Sequence, residues 1–117
     1  MPPVPHNLDN EARAELLCYL VVGQLIAQAR TGTWLLTDHV VESARIWLAA
    51  NGAHCDWPER LELARMSADL APKLAVLPPF KDAAALARLF TDGWRLDYRF
   101  PMVRGIYDVC MEHLMAH

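Results

Sequence analysis

Leu16-Leu-Cys-Tyr-Leu-Val-Val-Gly-Gln-Leu-Ile-Ala27 is the stretch on which the fold turns, because only Gly23 and Gln24 interrupt its apolar run. A surface helix needs a single apolar stripe, whereas this segment is apolar nearly all round and so, as a helix, has to be wrapped on every side. It covers about 12 residues where a bilayer span needs ~20. Asp9, Glu11 and Glu15 precede it with Arg13 as the only base, which is not the positive lead of a secretory signal. The reading is a buried helix in a cytoplasmic protein, with no targeting segment.

Working outward, Pro2, Pro3 and Pro5 exclude helix from Met1 to His6, a flexible lead-in. Asn7 or Asp9 can cap the first helix, which is predicted to run to about Arg30 and to stop at Thr31-Gly32. Downstream, Thr37 and Asp38 open a second helix that ends before Gly52, with Val40, Ala44, Trp47 and Leu48 inward and Glu42 and Arg45 on the wet side. Asp56 and Glu59 have capping-box spacing for a third, expected to stop before Pro72, with Leu61, Ala64 and Ala68 as its inner face. Lys73 to Pro79 reads as a turn.

A fourth helix is expected from about Lys81 to Asp92, carrying Ala83, Leu86, Ala87 and Phe90, with Gly93 as its stop. From Trp94 to Phe100 the period changes to strict alternation. A short strand there would bury Trp94, Leu96, Tyr98 and Phe100 and expose Arg95, Asp97 and Arg99, with a helical continuation as the alternative. After Pro101 a last helix places Val103, Ile106, Tyr107, Cys110 and Leu114 on one stripe. The sum is an all-α chain, a single domain of about five helices over residues 1–117 with one short strand near 94–100.

Composition narrows the function. Of 117 residues 54% are hydrophobic and 21% charged, a surplus that points to apolar surface hidden against a partner. The net charge of −3 supplies no global field toward a phosphate backbone, so nucleic acid would be reached only locally or through a partner. Cys18, Cys55 and Cys110, odd in number and widely spaced, form neither a disulfide framework nor a paired zinc motif.

Cys110, His113 and His117 share one helical face, with His54 and Cys55 as outlying fourth ligands. Cys110 also falls on the core stripe and His117 ends the chain, so the favoured reading is a core thiol and two solvated imidazoles, with no metal and no cofactor. Catalytic motifs are not evident, and Ser43 and Ser67 fall inside helices, where a hydroxyl usually bonds its own backbone. The expectation is a non-enzyme.

Trp34 and Leu35, in a loop beside Leu36, are the candidate partner-binding residues, joined by Arg95 and Arg99 on the predicted strand. Leu16, Leu17, Leu20, Val21 and Leu25 are expected at an interface between copies of the chain, as a homodimer or larger assembly.

Two stretches, LLCYLVVGQLIAQARTGTWLL (Leu16 to Leu36) and DAAALARLFTDGWRLDYRFP (Asp82 to Pro101), resemble the D-subunit (FlhD-like) family of the flagellar master activator and the related activator subunits of conjugative elements. The intervening region is longer, and the tail after Pro101 shorter, than in that pattern. The resemblance implies a helical protein that dimerises through its first helix and assembles with a larger zinc-binding subunit that makes much of the promoter contact. The leading expectation is a regulatory protein acting through protein–protein contacts, such as a transcription-activator subunit. The alternatives are a phage- or plasmid-encoded inhibitor that blocks a host machine, and a metal-binding sensor.

Overall fold

The computed structural model describes residues 8–51, 55–82 and 96–116. Among them are four α-helices: α1 (Asn10–Thr31), α2 (Thr37–Asn51), α3 (Trp57–Ala75) and α4 (Pro101–Met115), with a 3-10 turn at Pro78–Phe80 between α3 and α4. The helix expected from Lys81 to Asp92 lies, apart from the non-helical Lys81 and Asp82, outside the described residues.

Each boundary has a local cause. Asp9 caps α1 by accepting from the Ala12 N–H at 2.8 Å, and Gly32 ends it in the left-handed conformation (φ 76°), which glycine adopts without a Cβ clash, donating to the Gln28 carbonyl. Asp56 likewise accepts from the Glu59 N–H at 2.9 Å to open α3. Pro101 occupies the first turn of α4, where its missing N–H is no loss.

α1 is the axis of the fold. It packs extensively on α3 and α4, while α2 packs chiefly on α3 and only sparingly on α1. Leu16 through Val22 are all buried, joined in one core by Val40, Val41, Ala44, Trp47 and Leu48 of α2, Leu63, Leu70 and Leu74 of α3, Phe80, and Val103, Ile106, Cys110 and Leu114 of α4. Among the described residues no helix is long and apolar enough to cross a membrane.

The inner faces correct several expectations. Leu16, Leu17, Leu20, Val21 and Leu25, expected between copies of the chain, are each buried within the single chain, under its own helices. In α3 the buried face runs through Leu63, Ala64, Ser67, Leu70, Ala71 and Leu74, and Ala68 points to solvent. That helix also continues through Pro72: the proline stands on the exposed side, and burial of Leu70, Ala71 and Leu74 around it outweighs the lost backbone hydrogen bond.

The alternating segment is not a strand within the described residues. Leu96 to Phe100 forms a turn in which the Asp97 carboxylate accepts from the Arg99 N–H at 2.9 Å and the Phe100 N–H bonds the Asp97 carbonyl at 3.1 Å. This short-range aspartate bonding competes with extended pairing and prevails where no partner strand is at hand. Phe100 is accordingly 49% exposed, Tyr98 stacks edge-on against Tyr107, and Trp94 and Arg95 lie outside the described residues.

Among the described residues one charged group is buried. The Glu59 carboxylate, in a residue 6% exposed, accepts from the Leu8 N–H at 3.2 Å and stands 3.2 Å from Arg13 Nε, tying the start of α1 to the start of α3. Arg13 also donates to Glu62 at 3.2 Å. Glu59 thus reaches outward to a neighbouring segment instead of closing the reciprocal half of its capping box.

Two outcomes follow. Leu17, fully buried, should lower stability by about 2–5 kcal/mol when truncated to alanine, read by chemical denaturation, and a loss below ~1 kcal/mol would place it outside the core. Burial pushes the Glu59 carboxyl above its ordinary 4.5, and the Leu8 N–H and Arg13, which favour the charged form, offset only part of that. The folded chain therefore holds this proton more tightly than the unfolded one, so the stability it contributes is present below the ordinary value and is lost as pH rises through the raised one. Glu59→Gln should gain stability relative to the parent as pH rises from the ordinary carboxyl value through the raised one. A relative loss over that range would mean that the Arg13 pairing outweighs burial.

Candidate functional site

The two interruptions of the apolar run, Gly23 and Gln24, have distinct structural roles. Gln24 is 1% exposed, and its amide grips the α1–α2 loop at both ends: Oε1 accepts from the Leu35 N–H at 2.9 Å and Nε2 donates to the Leu35 carbonyl at 3.5 Å. The loop is further ordered by Thr31, whose hydroxyl bonds the Ala27 carbonyl at 2.7 Å and the Thr33 hydroxyl at 2.9 Å. Trp34 and Leu35 are consequently half-buried against the core, while Leu36 is 70% exposed.

Beside this loop α1 and α2 part to leave a groove of about 200 Å³. Tyr19, Leu20, Gly23, Ile26 and Arg30 of α1 form one wall, Val40 and Ser43 of α2 the other, and Leu35 closes one end. The α1 residues fall on a single helical face. A Cβ added at Gly23 would meet no atom within 4 Å, so the absent side chain is part of what keeps the groove open. Behind the wall the Tyr19 ring packs against Trp47, with ring centroids 6.2 Å apart, and burial pushes its phenol up to about 12.

The lining is suited to binding. Arg30 is its only charged residue among the described residues, and the Ser43 hydroxyl is committed to the His39 carbonyl at 3.0 Å. A catalytic pair of base and nucleophile is not among these side chains. A second, polar hollow of about 370 Å³ lies over the Arg13–Glu59–Glu62 cluster, bordered by Leu8, Asp56 and Pro58.

The other expected site residues are dispersed. Arg99 is 92% exposed on its side chain, and its guanidinium is held two-pronged by Asp97, at 3.0 and 2.8 Å. That pairing holds the Asp97 carboxyl down to about 2. Cys110 is fully buried in α4 against α1, where the Cys18 thiol donates to the Val103 carbonyl at 3.9 Å. Its hydrogen bond with Cys110, followed by burial, pushes the Cys18 thiol far up. His113 is half-buried, and His54 and His117 lie outside the described residues. Among the described residues no three metal-ligating side chains converge. Cys55 is half-buried, its thiol raised to about 11, chiefly by burial. Ser67 bonds the Ala64 carbonyl of its own helix at 2.7 Å.

Of the expected partner-binding residues, then, Leu35 lies in the groove and Trp34 beside it in the loop, while Arg99 is placed elsewhere. Sequence reading missed Gly23, Gln24 and Arg30. The available signal was the pair of non-apolar residues inside an otherwise unbroken run, each of which needs a reason to be there.

Glycine within a helix costs about 0.5–1 kcal/mol relative to alanine, and the space beside Gly23 is open, so Gly23→Ala should raise stability by about that amount in thermal melts. A decrease would show that the wall is closed there. No family model matches the chain, and the searches of curated proteins and of solved structures likewise give no match.

Proposed function

We propose that this chain is a non-enzymatic regulatory protein that acts by binding another protein, and that the groove between α1 and α2 receives the partner. The observation that carries this is an open apolar groove at the one place where the central helix gives up a side chain, Gly23, with Leu36 exposed next to it. Leaving apolar area wet forgoes roughly 25 cal/mol per Å², and glycine adds its own helix penalty, so two stability losses coincide on one surface. Such coincidences are the mark of an interaction site, where stability yields to function.

A transcription-activator subunit is a protein of this kind, and the resemblance in Leu16 to Leu36 and Asp82 to Pro101 supports that assignment. The net charge of −3 suits a subunit whose partner supplies the contact with DNA.

Affinity purification from the native host, with the full chain and with Gly23→Phe as bait, tests the reading. A Cβ at 23 meets open space on the groove side, so phenylalanine there should fill the groove. The parent should retain a defined partner in near-stoichiometric amount, and the variant should retain at least tenfold less while keeping its helical circular dichroism. Equal retention by both would move the interaction off the groove, and a parent that retains no partner would end the proposal.

A further inference from the structure

We infer that the groove's occupant is an acidic amphipathic helix of the partner, with one apolar side chain seated between Tyr19, Gly23 and Val40 and a carboxylate paired with Arg30. The inference rests on the groove being the partner site and adds to it the chemistry of what binds.

Size comes first. At about 200 Å³ the groove is below the ~300–1,000 Å³ common for small-molecule sites and fits a single buried anchor of a larger partner. Its walls are mainly apolar, which makes the anchor an apolar side chain.

Secondary structure follows from the walls. Both are helices, whose backbone groups are already bonded internally, so no sheet edge is offered to an incoming strand, which would leave its own N–H and C=O groups unpaired in the groove. A helix arrives with those groups satisfied. It can set its ridge into the gap between two sparingly packed helices, as helices do when they recognise grooves.

Charge completes it. Arg30 is the one charged residue among the described lining, it is exposed, and, like Arg60 and Arg65, it makes no ion pair among the described residues. Gly23 and Arg30 are seven residues apart, roughly 10 Å along α1 at the helical rise. A partner helix lying along the groove therefore brings an Asp or Glu placed four or seven residues from its anchor within reach of the guanidinium. In the partly dehydrated groove that pair is a charge-assisted hydrogen bond, and it selects acidic over basic helices.

The test is a selection of helix-biased dodecapeptides displayed on phage against the full chain, followed by fluorescence anisotropy with the enriched peptides. Enriched sequences should combine an apolar residue with an acid four or seven positions away. Their affinity should fall at least tenfold on Gly23→Phe and on Arg30→Glu. Exchanging the peptide's acid for lysine should restore binding to Arg30→Glu, a rescue that misfolding cannot produce.

Groove-dependent peptides that are neutral or basic, or that ignore Arg30→Glu, would overturn the acidic occupant while leaving the groove as the partner site. Peptides indifferent to Gly23→Phe, or no enrichment at all, would overturn both. If peptides fail and octanoate instead shifts the NMR signals of groove residues, the site takes a small amphiphile and the inference is wrong.

Discussion

Ten residues of the first helix, Leu16 to Leu25, have to be kept from water, and the packing of the other helices answers that need. A helix that is apolar around its whole circumference cannot lie on a surface, so the other described helices pack around it, α3 and α4 directly and α2 chiefly through α3. The Pro78–Phe80 turn adds an aromatic ring to the same core. Leu16 to Val22, Gln24 and Leu25 are all buried within the single chain. Among the described residues the large apolar side chains left exposed are Leu36, Trp57, Val76, Leu77, Phe100 and Met115.

Hydrophobic burial alone does not set register, and two polar ties do so. Gln24, inside the core helix, replaces the missing partners of the Leu35 backbone and so decides where the α1–α2 loop lies. Glu59 does the same for the start of α1 through the Leu8 N–H, with Arg13 beside it. Each is a buried polar group that is acceptable only because it is bonded, and removal of either would strand a backbone group away from water. The first tie bears directly on the groove, since the loop it fixes carries Leu35 into the lining and Leu36 into solvent.

The groove arises where these constraints meet. α1 is held by α3 and α4, α2 is held by α3, and the α1–α2 contact is left as the weakest of the set. Gly23 falls on that side, so the gap is not refilled by a side chain. Arg30 stands in the last turn of the same helix, where a cation also suits the carbonyl end of the helix dipole. An apolar hollow with a single positive edge is the product of helix placement and one missing Cβ.

From sequence by itself, the all-α character, the caps at Asp9, Gly32 and Asp56, the inward faces of α2 and α4 and the core role of α1 were legible, because hydrophobic periodicity and capping chemistry are local. The alternation from Leu96 to Phe100 misled for the same reason: a period of two records which residues alternate, while strand formation needs a neighbour to pair with, and a side-chain bond at Asp97 closed the turn first. Pro72 misled because the local helix penalty was weighed without the buried leucines on either side of it. What covers Leu16 to Leu25, the separation of Arg99 from the loop at Trp34, and the groove beside Gly23 were settled only by tertiary packing. These depend on which helix faces leave each other uncovered, a relation between distant segments that no single stretch of sequence contains.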